Sequence, residues 1–155
     1  MFDIGTGLAL EGKKVITYAM GPFISLRAIE QIKCGPAMMK LPMTILSVGI
    51  GLGYADAGPT HYATEDYACL RAIGGTSIYT ASDNVIAKKI AQSVLNDKSV
   101  NYIRLDRHAT ENIDILSDDY DFNDGFRVIG EYSEDKVAII SHGRILHNCL
   151  KTINL

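Results

Sequence analysis

Gly49-Ile-Gly-Leu-Gly-Tyr-Ala-Asp-Ala-Gly-Pro-Thr-His61 joins a short apolar run, Thr44–Val48, to a stretch with helical spacing, Thr64–Ile73. Such a run, with few polar breaks, reads as a strand buried on both faces. Glu65 and Asp66 fall in the first turn of the helix that follows, where carboxylates suit its dipole. In a parallel α/β sheet the loop at a strand's carboxyl end is where ligands bind. Glycines there let backbone approach a ligand, and a helix N-terminus supplies free N–H donors. The dinucleotide fingerprint is not met: Gly49, Gly51 and Gly53 alternate, and Tyr54 stands where the third glycine belongs. No Gly-Lys-Ser/Thr follows, so a P-loop is excluded as well. From its residues alone the segment is either a flexible ligand loop carrying one imidazole or a long connection built of turn residues.

Outward from this loop, two kinds of segment alternate. Val15–Ala19, Ser77–Ala81, Val100–Leu105 and Val137–Ser141 read as further buried strands. Pro22–Lys33 reads as one helix, with proline in its first turn and Phe23, Leu26, Ile29 and Ile32 on roughly one side. Asp83–Asn96 carries Ile86, Ile90 and Val94 at four-residue steps, beside a second row of Ala87, Ala91 and Leu95, with Ser82 or Asp83 as its cap. The fold class expected is α/β, a parallel, doubly wound sheet.

The 155 residues are about one domain's worth of chain, 47% hydrophobic and 21% charged, with mean hydropathy near zero. That excludes collagen-like and disordered classes. No apolar run approaches the ~18 residues of a membrane helix, so no membrane association is expected. The start, MFDIGTG, lacks the basic and long apolar parts of an export signal. A net charge of −3 without a basic block argues against nucleic-acid binding. Cys34, Cys69 and Cys149 are odd in number, far apart and without CxxC, which fits a reducing, cytoplasmic setting better than a disulfide scaffold or zinc site.

Composition shifts after Arg107. Ten acidic residues lie between Asp106 and Asp135, among them Asp118-Asp119-Tyr120-Asp121, and read as an acidic surface linker. Their spacing lacks the order of an EF-hand. A strand–turn–helix, with Ser141-His142-Gly143 at the turn, then begins and stops at Leu155. A lone βα unit cannot bury its own sheet edge. The division expected is a domain over 1–108, a linker over 109–135 and the start of a second α/β domain over 136–155.

Gly58-Pro59-Thr60-His61, Glu65-Asp66 and Leu70-Arg71-Ala72-Ile73 together resemble the pyrimidine-binding domain of transketolases. The likeness continues on both sides. Gly7-Leu-Ala-Leu-Glu-Gly-Lys-Lys14 resembles that family's helix-to-strand joint, and Phe23 with Arg27-Ala28-Ile29-Glu30-Gln31-Ile32 its Phe…Arg-Ala-Tyr-Asp-Gln-Ile segment. Ser77-Ile-Tyr-Thr-Ala-Ser-Asp83 is similar to the strand ending in Pro-Ala-Asp, and Tyr102-Ile-Arg-Leu-Asp-Arg107 to the Tyr-Ile-Arg-Leu strand. Lys136-Val-Ala-Ile-Ile-Ser-His-Gly143 is similar to the opening of the C-terminal domain.

The resemblance implies thiamine diphosphate, bound between this domain and a diphosphate-binding domain or subunit through which magnesium would be held. It implies that Phe23 stacks on the aminopyrimidine and that Met20, three residues earlier, packs on the ring edge, as an aromatic face and a thioether do. His61 matches the active-site histidine near the cofactor's reactive end, suited to hydrogen bonding or proton shuttling at the substrate oxygens. Arg107 matches an arginine that holds the sugar phosphate. No such role falls to His108, His142 or His147, and their spacing suggests no metal site. The activating glutamate of the family lies upstream of the segment matching Met1–Leu10, and neither Asp3 nor Glu11 replaces it. No Gly-Asp-Gly…Asn segment for magnesium and diphosphate occurs. A histidine often found early in the loop is replaced by Gly49 or its neighbours, and Tyr54-Ala-Asp-Ala replaces the family's shorter acidic lead. The expectation is therefore a chain cut at both ends and inactive alone.

The function implied is the pyrimidine-side half of a transketolase that transfers a two-carbon ketol unit between sugar phosphates, most similar to the C-terminal subunit of split transketolases. A part of a deoxyxylulose-phosphate-synthase-like enzyme, or a non-catalytic partner-binding module of the same fold, are the alternatives. A dimer or higher oligomer is expected, with Gly51, Leu52 and Tyr54 covered by the partner.

Overall fold

A computed structural model describes residues 1–113, 125, 128–129 and 137–153. Four strands, β1 (Ile16–Met20), β2 (Met43–Val48), β3 (Thr76–Thr80) and β4 (Val100–Leu105), form one sheet in the order β1-β2-β4-β3. Every pairing is parallel, with Ile45 beside both Thr17 and Tyr102 and Ile78 also beside Tyr102. The expected α/β architecture is present.

The order fixes where the helices lie. Crossovers between parallel strands are right-handed, so the steps β1→β2 and β2→β3, which run the same way, share a face. That face holds α1 (Phe2–Leu10), α2 (Gly21–Ile24), α3 (Ile29–Ile32) and α4 (Asp66–Arg71). Phe2, Ile24, Ile32 and Leu70 pack there against Met43, Ile45, Val100 and Tyr102 of the strands. The step β3→β4 runs back and puts α5 (Asn84–Val94) on the opposite face, where Ile86, Ile90 and Val94 pack with Ile103. Leu146 and Leu150 of α6 (Leu146–Ile153) join this second cluster. The direction of winding reverses between the adjacent strands β2 and β4, so the crevice at their carboxyl ends is the topological switch point. Gly49 N donates to Leu105 O across it (2.9 Å).

Asp83 is the cap of α5: its Oδ1 accepts from Ile86 N and its Oδ2 from Ile113 N, both at 2.8 Å. Asp83→Ala is expected to cost about 1–2 kcal/mol in urea unfolding of the full chain. A loss below about 0.5 kcal/mol would remove the capping role.

Two expectations need correction. Pro22–Lys33 is not one helix but α2, a 3₁₀ turn (Leu26–Ala28), α3 and a π-type turn (Lys33–Ala37). Ser25 leaves helical geometry (φ −105°, ψ −81°) and its hydroxyl donates back to Gly21 O at 2.7 Å, the local competition that bends helices. Gly35 and Pro36 break the other end. Nor does the expected strand Val137–Ser141 form: residues 137–140 pair with no described strand, and Ile140 is 99% exposed. Most of the acidic segment 109–135 lies outside the described residues.

Candidate functional site

Three strands deliver side chains to one end of the sheet. β1 runs straight into α2 and places Phe23, the loop after β2 places Tyr54, Asp56 and His61, and the end of β4 places Arg107. The loop closes through an antiparallel bridge between Gly51 and Ala63, and Pro59–His61 forms a 3₁₀ turn. Gly21 lies so near Ala63 that a Cβ on it would overlap the alanine methyl, and this close approach sets α2 against the loop. Gly49 has φ +76°, and a Cβ there would overlap the Tyr54 ring. Both positions therefore require glycine.

The result is a continuous row of planar groups. Phe23 and His61 meet edge to face, with ring centroids 5.0 Å apart and planes at 68°. Tyr54 lies 6.4 Å beyond His61. The Arg27 guanidinium sits 4.3 Å from the Phe23 centroid, and the Arg107 guanidinium 4.5 Å from that of Tyr54. These are cation–π distances. Thr60 Oγ1 is 3.0 Å from His61 Nδ1, which fixes the ring's rotation and leaves Nε2 for a ligand. Arg107 Nη1 donates to Asp56 Oδ1 (2.5 Å) and to Gly53 O (3.3 Å). That bond holds the Asp56 carboxyl below the usual carboxylate range and raises the guanidinium's own pKa.

Beneath the loop lies a buried charge. Asp66, at the start of α4, is fully buried, and Arg104 on β4 is 6% exposed. Arg104 Nε donates to Asp66 Oδ2 (2.9 Å) and Nη2 to Oδ1 (3.1 Å), a two-point contact. Tyr102 Oη lies 2.7 Å from Asp66 Oδ2 and 2.9 Å from Ser47 Oγ. The single phenolic hydrogen goes to the carboxylate, leaving the Ser47 hydroxyl to donate in turn. Burial, then the Asp66 charge, push the Tyr102 phenol well above its ordinary value. Arg104 also reaches Thr80 Oγ1 (3.2 Å) and lies 5.5 Å from the Tyr67 ring centroid. This pair ties the start of α4 to β4, three residues after the His61 loop closes at Ala63.

Of the residues singled out in the sequence, Phe23, His61 and Arg107 fall in the one row. Met20 ends β1 opposite Val48 and is half-buried. His142 stacks on Tyr67 at 6.0 Å, and His147 Nε2 lies 3.3 Å from Ser82 O, both outside the row. Among the described residues no group of three or more His, Cys, Asp or Glu side chains could hold a metal ion. No described helix is long and apolar enough to cross a membrane. Sequence reading missed Arg27, Asp56 and the Asp66–Arg104 pair as members or supports of the site. The signals were an arginine four residues after Phe23 and a lone charge inside the Val100–Leu105 strand run.

Residues 1–112 match the family described as the transketolase pyrimidine binding domain. One of the subunits of the apulose-4-phosphate transketolase of Actinobacillus succinogenes is 28% identical over 141 residues, 91% of this chain and 44% of that protein. The transketolase of Homo sapiens is 27% identical over 156 residues, covering 100% of this chain and 25% of that protein. The chain thus spans less than half the length of these relatives. In fold it is similar to a split-gene transketolase solved as an inactive beta4 tetramer, with TM-score 0.59 and 23% identity over 71% of this chain and 35% of that one. It is similar also to the Campylobacter jejuni transketolase, with TM-score 0.60 and 23% identity over 70% of this chain and 17% of that one. A match that runs through both Phe23 and the Gly58–His61 turn, on a parallel sheet of the same kind, places this chain in the transketolase family through its pyrimidine-binding domain.

Proposed function

We propose that the chain is the pyrimidine-side half of a thiamine-diphosphate-dependent transketolase that moves a two-carbon ketol unit between sugar phosphates in the cytoplasm. The observation that carries this reading is the meeting of Phe23 and His61, from separate elements, at the switch point of a parallel sheet. The half-buried Phe23 ring already carries one planar group, the Arg27 guanidinium, on its face. A flat aminopyrimidine fits the same face once Arg27 moves aside. When bound, the cofactor supplies the carbanion chemistry that side chains lack.

Each residue then has a separate task. Phe23 orients the pyrimidine, with Met20 against the ring edge. His61, its Nδ1 engaged by Thr60, presents Nε2 to the substrate oxygens and holds or passes a proton there. Arg107 holds the sugar phosphate. A diphosphate-binding domain or subunit completes the pocket and holds magnesium, and Leu52, exposed on the loop, is covered in that dimer or higher assembly. A second reading, a non-catalytic partner-binding module of the same fold, is favoured by one observation: Arg27 and Asp56 already occupy Phe23 and Arg107.

Calorimetry with thiamine diphosphate and magnesium separates these readings. The chain alone is expected to give no saturable heat, and addition of a split transketolase's diphosphate-binding subunit together with an upstream segment carrying the activating glutamate is expected to give binding. Saturable binding to the chain alone overturns the half-site argument. Silence in both settings overturns the enzymatic reading in favour of the module.

A further inference from the structure

We propose that Asp56 sets how tightly Arg107 takes the phosphate end of the substrate, by competing with the phosphate for its guanidinium. The proposal rests on the reading of Arg107 as the phosphate-holding residue. Arg107 is not free in this structure. Its guanidinium lies over Tyr54, its Nη1 donates to Gly53 O, and the same nitrogen is paired with Asp56. Tyr54 and Gly53 act on its position, whereas Asp56 acts on its charge.

The two partners differ in how firmly they are held. Asp56 projects from the short 3₁₀ turn Ala55–Ala57, and its side chain is 68% exposed against 32% for Arg107. An exposed carboxylate of this kind favours its partner by at most a factor of about five. A phosphate monoester carries roughly −1.5 to −2 charges at pH 7 and fits the guanidinium fork at two points. It therefore displaces a single carboxylate from Arg107 while Tyr54 keeps the guanidinium in place. A neutral compound makes no claim on Arg107 and leaves the pair closed. Asp56 thus lowers the affinity of Arg107 for every anion by the same factor, and its removal strengthens the binding of phosphate.

The test uses inorganic phosphate as probe and the full chain labelled with ¹⁵N-arginine, following the Arg107 Nε–H signal assigned through Arg107→Lys. Asp56→Asn is expected to bind phosphate about threefold to fivefold more tightly than the parent chain, and Asp56→Glu to restore the parent value. Equal affinity in all three overturns the competition while leaving the phosphate reading of Arg107 intact. Weaker binding in Asp56→Asn also overturns it, because Asp56 would then be a support for Arg107. No shift of the Arg107 signal in any variant up to tens of millimolar phosphate overturns both readings together. Asp56 is exposed and packs in no core, so all three chains are expected to fold alike, which the unchanged signals of the other arginines would show.

Discussion

Asp66→Asn is expected to lower the thermal midpoint of this chain by about 10 °C. The substitution keeps the shape of the side chain but leaves the Arg104 guanidinium without its counter-charge in a place where Asp66 is fully buried and Arg104 nearly so. Breaking one side of such a pair costs roughly 3–5 kcal/mol, because a charge remains in a medium that solvates it poorly. Whole domains are stable by only about 5–15 kcal/mol, and 1 kcal/mol moves the midpoint of a chain this size by roughly 2–4 °C. Asp66→Asn combined with Arg104→Met should lose less than the sum of the two single changes, since the pair acts as a unit. A midpoint shift under about 2 °C for Asp66→Asn, or strict additivity, would show that the pair is not a unit of the fold. Tyr102 supplies a second reading of the same network. Its phenol pKa is raised on folding, so the unfolded chain loses that proton first as pH climbs past about 10. The contribution of Tyr102 is therefore full below pH 10 and declines above it. In Tyr102→Phe that alkaline loss should diminish.

The sheet was legible because buried strands write themselves plainly. Ile16–Met20, Met43–Val48 and Val100–Leu105 are short runs flanked by turn residues, and all lie within a residue or two of the spans expected from β-branched and apolar content. A cap at Ser82 or Asp83 was likewise legible, just before a four-residue apolar repeat, and the fold gives the role to Asp83. The segment after β1 was misread for the opposite reason. Its apolar spacing is helical, but periodicity reports the buried side and not the hydrogen bonding. Ser25 turns its hydroxyl back onto Gly21 O, and the chain passes through four short helical pieces while keeping Ile24 and Ile32 inside. Val137–Ser141 was read as a strand from composition alone, yet a strand exists only where another lends it hydrogen bonds.

The site divides along a similar line. His61 stood out because a glycine-rich loop and its imidazole form a contiguous motif, whereas Phe23 was singled out only through the family resemblance; the fold brings the two rings together. What a motif cannot show is which side chains from elsewhere reach it. Asp66 carries a first-turn carboxylate's sequence signature, and a solvated dipole partner was the natural reading. The fold instead sets it over Arg104, 38 residues away, in the interior. Asp56 gave no sign in the sequence of contacting Arg107, since that contact depends on bends that periodicity does not record.

With an upstream segment carrying the activating glutamate and the diphosphate-binding partner both supplied, His61→Ala should lower kcat for ketol transfer about 10²-fold or more while changing thiamine diphosphate affinity by less than about threefold. The two quantities part because His61 and Phe23 do different work from adjoining positions. Phe23 offers its ring for stacking, and its place is set by β1 and by the close approach of Gly21 to Ala63. Removing an imidazole that meets its edge leaves that face intact. His61, by contrast, has a hydroxyl at Nδ1 and an edge-to-face neighbour, so its remaining nitrogen points with little freedom. A group placed in this way contributes typically 10²–10⁴-fold when it donates to an oxygen on which charge develops or moves a proton to it. His61→Gln, which keeps a donor but cannot carry a proton away, separates these two tasks. If hydrogen bonding dominates, Gln recovers most of the rate and the pH profile barely changes. If proton transfer dominates, Gln resembles Ala. Retention of full kcat in His61→Ala would remove the residue from the chemistry, and a parallel collapse of cofactor affinity would assign it to the pocket wall instead.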